Sequence, residues 1–287
     1  MAVARRGPRG WTLAAPEPVG EPATLLARLA ARAGGGVAMG LDLPLGLPAG
    51  YAARYVRDAD FVAFLKSLAA RPDFFRVCDT LAEVTPARPF YPRVGRAGMT
   101  RAAHAAALGI PSLGRACDAA TGTRPAGAPL FWTLGANQAG KAALSAWREM
   151  LIPALLSRTP PRLWPFEGGL RELLAAGGIV LAETYPAEAM VQLGIRRHGS
   201  KRRQPDRTAM APAIRAAMRR LGVRAAPALT ASLATGFGAD AAGEDRFDCV
   251  LGALCVIAVT DGARPDHIPP DPDIRRWEGW VLGQDSG

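Results

Sequence analysis

Apolar and polar positions along this chain alternate between strand-like and helix-like spacing, and the changes of spacing mark its elements. Residues 2–6 (AVARR) and 11–15 (WTLAA) flank GPRG, which predicts a β-hairpin with a glycine-bearing turn. Glu21 and Pro22 then open a helix that carries Leu25, Leu26 and Leu29 on one face and closes at the glycines of 34–36. VAMGLDL (37–43) is a short apolar run ended by PLGLP and predicts a buried strand. Over 59–70, Phe61, Phe64, Leu65 and Leu68 recur at i, i+3, i+4 and i+7, a helix packed on a core. Pro/Gly-rich loops over 84–98 and 111–129 surround a short helix at 100–108, and PLFWTL (129–134) fits another strand. A long helix follows over 137–158, which Pro153 bends or ends.

The second half repeats the alternation. GGIVLAE (177–183) is the clearest buried strand, and it runs into Pro186, which is placed to start a helix over 186–193. Helices are expected at 207–221 and 227–235, then over GEDRFDCVLGALCVIAVTDG (243–262), which has an acidic first turn. WEGWVLG (277–283) closes the pattern. Strands alternating with helices predict an α/β fold, a mixed sheet flanked by helices, in one domain over 1–287 with a helical and loop insertion around 84–135.

Composition narrows the class. In 287 residues, 49% are hydrophobic and 21% charged, which excludes global disorder. No apolar run approaches the roughly 18 residues of a membrane helix, and the start MAVARRGPRGW lacks the apolar core of a secretory signal, so a cytoplasmic protein is expected. Cys78, Cys117, Cys249 and Cys255 form no CxxC and lie far in sequence from His104, His198 and His267. That is neither a disulfide framework nor zinc spacing, and it predicts buried free thiols. His104 in an alanine-rich helix, with Trp277 and Trp280, reads as structural.

The net charge of +10 matters less than where it sits, because 32 of the 35 basic residues are arginine, a bias of composition. Ile195–Arg224 carries ten basic residues and a single acid, Asp206, a net +9; from Asp240 to the end the balance is −6. A basic block beside an acidic tail points to a polyanion next to a carboxylate cluster, with Arg196, Arg197, Lys201, Arg202, Arg203 and Arg207 as candidates for contact with nucleic acid.

Asp42 ends the VAMGLD strand and Glu183 ends the GGIVLAE strand, where ligands gather in α/β sheets. Asp245 and Asp248 lie three apart in the first turns of a helix and share a face. An all-oxygen set of Asp42, Glu183, Asp245 and Asp248 suits Mg²⁺ or Mn²⁺. Two such ions roughly 4 Å apart activate water and stabilise the leaving oxygen of a phosphodiester. Acids at such places also cap turns and complement the helix dipole without binding anything.

These segments occur in a recognisable order: GLDLPLGLP (40–48), Gln138 in ANQAGKA, AETYPAEAM (182–190), GSKRRQPDR (199–207), EDRFDCVLGALCVIA (244–258) and EGWVLG (278–283). The order resembles a little-characterised family of RNase H-like nucleases, from about Val37 to the end, most weakly over 84–130. The resemblance implies an RNase H-like mixed five-stranded sheet flanked by helices and a metal-dependent nuclease activity. Asp42, Glu183 and Asp248 correspond to its catalytic acids, and Lys201 and Arg207 fall in its basic motif. The acidic helix also resembles the last acidic element of Holliday-junction resolvases. The chain departs from the pattern at its start. AVARR and WTLAA correspond to the second and third strands, and no acid precedes Glu17, so the first strand with its metal-bridging Asp has no counterpart. Either that strand lies upstream or the site lacks its first carboxylate; an open strand position beside Val37–Leu43 is expected.

Two other functions compete with the nuclease. One is a non-catalytic, nucleic-acid- or partner-binding protein of the same fold, favoured by the missing acid. The other is an NTP-binding protein, because GANQAGKA (135–142) spells G-x-x-x-x-G-K between a predicted strand and a helix, although Ala142 stands where a phosphate loop has Ser or Thr.

Overall fold

A computed structural model describes residues 1–95, 97–134 and 139–286. Its first half runs β1 (Ala4–Gly7), β2 (Gly10–Leu13), α1 (Pro22–Arg32), β3 (Val37–Leu41), α2 (Ala49–Tyr55), α3 (Phe61–Ser67) and α4 (Arg101–Ala107). Next come α5 (Ala139–Ala146), α6 (Ile152–Leu155), β4 (Arg162–Leu163), α7 (Leu170–Ala175), β5 (Ile179–Glu183) and α8 (Pro186–Gln192). The last part has α9 (Gln204–Arg220), β6 (Val223–Ala225), α10 (Pro227–Ala234) and α11 (Gly243–Thr260). The chain is mixed α/β, as its pattern predicts.

The strands divide differently from the expected single sheet. β1 and β2 form the antiparallel hairpin, Ala4 opposite Leu13, and β6 joins β2 in parallel, Trp11 opposite Val223. A second sheet of three parallel strands runs β3-β5-β4, with Val37 opposite Ile179 and Leu41 opposite Glu183. Among the described residues no ladder joins the two sheets, because β1 and β3 are both edge strands. β3 pairs on one side only, with β5, and its apolar Val37, Ala38 and Met39 are half-buried.

Helix α11 covers both sheets. Its Phe247, Val250, Leu251 and Leu254 share an apolar cluster with Leu13 and Val223, and its Val256 and Val259 share another with Val180 and Ala182. It crosses β3 so closely that a Cβ on Gly40 would come within 2.9 Å of Val256 Cγ2 and 2.7 Å of Thr184 Cγ2. Glycine there is a packing requirement.

Two further elements depart from the sequence reading. Residues 129–134 form no strand; Trp132 makes an isolated bridge to Tyr91, and the run is buried by packing. The helix expected over 137–158 is α5 and α6 joined by a π-helical turn, Trp147–Leu151, immediately before Pro153. Proline lacks the N–H that a regular turn would use, and the wider turn accommodates it. The 84–135 stretch belongs to the main core: Phe90, Tyr91, Leu108 and Phe131 share one cluster with Leu25, Phe61 and Phe64. All four cysteines are free, Cys78, Cys117 and Cys255 buried and Cys249 half-buried. No helix among the described residues is long and apolar enough to cross a membrane.

Candidate active site

Pairing of β3 with β5 sets their C-terminal ends side by side: Thr184 N–H donates to Leu41 O, which places Asp42 next to the Glu183–Tyr185 turn. The loop after Asp42 is fixed by Trp147 Nε1 on Pro44 O at 3.0 Å, and by Leu47 N–H on Trp277 O at 2.7 Å. From the facing side, α11 presents Glu244, Asp245 and Asp248. A pocket of about 350 Å³ lies between, and its walls include Asp42, Glu183, Asp245, Asp248 and Lys201. All four acids named from the sequence thus line one cavity, with Lys201 of the basic block.

Lys201 reaches it on a loop that other residues hold. Arg207 donates to three carbonyls, Gly236 O at 2.8 Å, Lys201 O at 2.6 Å and Gly238 O at 2.6 Å. Asp206 accepts from Ser200 N–H at 2.8 Å and from Arg203 Nε at 2.7 Å. Arg207 is 1% exposed with its donors engaged, so the structure corrects its expected role: it clamps the loop that carries Lys201 and meets no polyanion. Arg196, Arg197, Arg202 and Arg203 are exposed. Lys201 Nζ pairs with Asp248 Oδ2 and lies 3.5 Å from Glu244 Oε1.

The acids on this wall outnumber the cations that pair with them, Lys201 and, on Glu244, Arg202. Asp42 and Asp245 have no hydrogen-bond or ion-pair partner among the described residues, and Asp248 Oδ1 is buried with none. Asp42 is open to the pocket yet walled by protein on its other sides. Desolvation by those walls comes first, then repulsion by Asp248, and together they lift its carboxyl to about 7. Burial, opposed by Lys201, lifts Asp248 to about 6. Burial works against the charge of Lys201, but Asp248, Asp42 and Glu244 outweigh it and raise the ammonium above its ordinary value.

Glu183 lives in other company. Arg115, from the Pro/Gly-rich loop, donates Nη1 to Glu183 Oε2 and Nη2 to Oε1, both at 2.7 Å, and Leu45 N–H donates to Oε2 at 2.7 Å. The same guanidinium holds Asp118 through Nε at 3.1 Å and Nη2 at 2.9 Å. Glu183 is therefore engaged by Arg115 on both oxygens and by Leu45 on one, where the sequence predicts a carboxylate given to a metal. A second arginine, Arg124, is built the same way: Nε donates to Glu188 Oε2 at 3.0 Å and Nη2 to Gln284 Oε1 at 2.9 Å. The closing EGWVLG segment anchors this wall. Glu278 accepts from Ala49 N–H at 2.9 Å and Ala116 N–H at 2.8 Å, and Val281 bridges to Glu183. Arg115, Asp118, Arg124 and Glu188 escaped the sequence reading; the only local signal was arginine in a loop otherwise rich in Pro, Gly and Ala.

Gln138 and the rest of 135–138 lie outside the described residues. The phosphate-loop reading of 135–142 loses its context, since no strand forms at 129–134. A Cβ on Gly140 would come within 2.5 Å of Leu130 O and 2.6 Å of Trp132 O, so this glycine serves close packing of α5. His104 is fully buried with Nε2 against Pro89 O at 2.8 Å, and burial lowers it to about 4, a structural histidine as expected.

No family model, curated protein or solved structure matches the chain.

Proposed function

We propose that the pocket binds a divalent cation, Mg²⁺ or Mn²⁺, on Asp42, Asp245 and Asp248 and hydrolyses phosphodiester bonds of nucleic acid. One observation carries the reading: three carboxylates from β3 and α11 line a single pocket where Asp248 Oδ1 is buried without a partner. A buried carboxylate oxygen without a donor is costly unless something positive meets it. Hard oxygen donors select these cations over softer ones. A bound ion supplies a water of lowered pKa and offsets charge on a phosphoryl oxygen. Lys201, beside the same acids, would hold a phosphate, and the exposed Arg196, Arg197, Arg202 and Arg203 of the same segment would add positive charge.

The test is cleavage of labelled single- and double-stranded DNA and RNA in Mg²⁺ and in Mn²⁺, by the wild type and by Asp42→Asn. Metal-dependent cleavage lost in the variant supports the reading. Cleavage that survives the substitution contradicts it. Salt-sensitive binding with no cleavage in either metal assigns the protein to the non-catalytic alternative.

A further inference from the structure

We infer that Arg115 is a built-in cation: its guanidinium holds the place among Cys117, Asp118 and Glu183 that a metal ion would otherwise take, so the pocket accepts one exchangeable divalent ion rather than two. The count of one rests on the proposed metal site at Asp42, Asp245 and Asp248; the role of Arg115 does not.

Ligand-capable atoms of Cys117, Asp118 and Glu183 all lie within 4.8 Å of one another, a spacing one ion could span. Arg115 already meets each of the four carboxylate oxygens: Glu183 Oε1 and Oε2 at 2.7 Å, Asp118 Oδ1 at 2.9 Å and Oδ2 at 3.1 Å. Its side chain has no exposure, and Nη1 donates further to Glu278 O at 3.2 Å. Burial disfavours the charge, but the carboxylates of Asp118 and Glu183 outweigh it and hold Arg115 well above its ordinary value. A guanidinium does not deprotonate in a protein, so it cannot vacate the place by losing a proton. Burial also pushes the Cys117 thiol well above its ordinary value, which keeps the one soft donor neutral. One wall of the pocket thereby carries a counter-charge that cannot dissociate, and only the wall of Asp42 and Asp248 depends on a dissociable ion.

Mn²⁺ bound per intact chain, counted by calorimetry and by electron paramagnetic resonance, tests this. Wild type should bind one ion, and Glu183→Gln should also bind one, because Glu183 is not a ligand. Arg115→Met should gain one ion over wild type and show a larger rise in Tm with Mn²⁺. With Co²⁺ it should show a thiolate charge-transfer band from Cys117 that wild type lacks. Two ions in wild type, one of them lost in Glu183→Gln, would overturn the inference even if Arg115→Met fails to fold. A folded Arg115→Met that gains no ion would overturn it as well. If wild type binds none but Arg115→Met gains one, the built-in cation stands and the metal site at Asp42 falls.

Discussion

On one wall of the pocket, Arg115 and Arg124 meet Asp118, Glu183 and Glu188 with each side chain buried or nearly so; on the other, Glu244 and Asp248 pair with Lys201 and Glu244 also with Arg202, while Asp42 and Asp245 pair with neither. The residue types are the same, but on the first wall every acid is held by a buried arginine and on the second two acids are not paired at all. A buried bidentate pair gives fixed geometry and adds little net stability, because desolvation offsets the attraction. A surplus of carboxylates gives the reverse: a locally destabilised surface that awaits a cation. Two sets of acids only a strand apart are thus held in different ways.

The largest expected effect separates the walls by stability. Arg115→Met removes the one cation that Glu183 and Asp118 share, leaving them only backbone N–H donors, and should cost about 3–5 kcal/mol in urea unfolding. Asp42→Asn should cost no stability, since its side chain has no partner to lose and the substitution removes repulsion with Asp248. Comparable losses from both substitutions would erase the distinction. In cleavage the order reverses: Asp42→Asn and Asp248→Asn should each lower the rate about 10³-fold, the several kcal/mol that a bound ion supplies at the transition state. A drop under about tenfold would place the chemistry elsewhere.

Next in size is pH dependence of the metal-free protein. Asp42 near 7 and Asp248 near 6 hold protons that unfolded carboxyls, ordinarily near 3.8, have released. Their contribution is fully present below about 3.8 and is lost as pH rises through 6 and 7. His104 works the other way: near 4 when folded against 6.5, it costs stability as pH falls from 6.5 towards 4. Asp42→Asn should flatten the upper limb and leave the lower one, as read from urea midpoints between pH 4 and 8. An unchanged upper limb would show that the open wall is not strained by its charges.

The smallest effect distinguishes the arginines by exposure. Arg202→Ala and Arg203→Ala should each reduce the slope of log K against log[salt] for nucleic acid by about 1 if they meet phosphates. Arg207→Ala should leave that slope alone and instead loosen the loop that carries Lys201. A slope that responds to Arg207 and not to its neighbours would restore the role its sequence position suggests.

The local elements were legible in the pattern because they depend on near neighbours: Pro22 and Pro186 open helices, and VAMGL and IVLAE are strands. The convergence of Asp42, Glu183, Asp245 and Asp248 followed from strand ends and helical spacing. What the pattern could not carry was pairing at a distance. Arg115 and Glu183 are 68 residues apart and Arg124 and Glu188 are 64 apart, so nothing local marks Glu183 as taken. Arg207 shows the same limit, since its charge is visible in sequence and its three carbonyl partners are not. The division into two sheets was hidden because pairing of β2 with β6 joins segments some 200 residues apart along the chain.

The difference between the walls is tested most directly by anomalous scattering from a crystal soaked in Mn²⁺ above the dissociation constant. The account predicts a peak in contact with Asp42 and Asp248 and none among Cys117, Asp118 and Glu183, where Arg115 should stay bonded to both carboxylates. A peak in the Cys117–Asp118–Glu183 cluster with Arg115 displaced, or no peak beside Asp42, would contradict it.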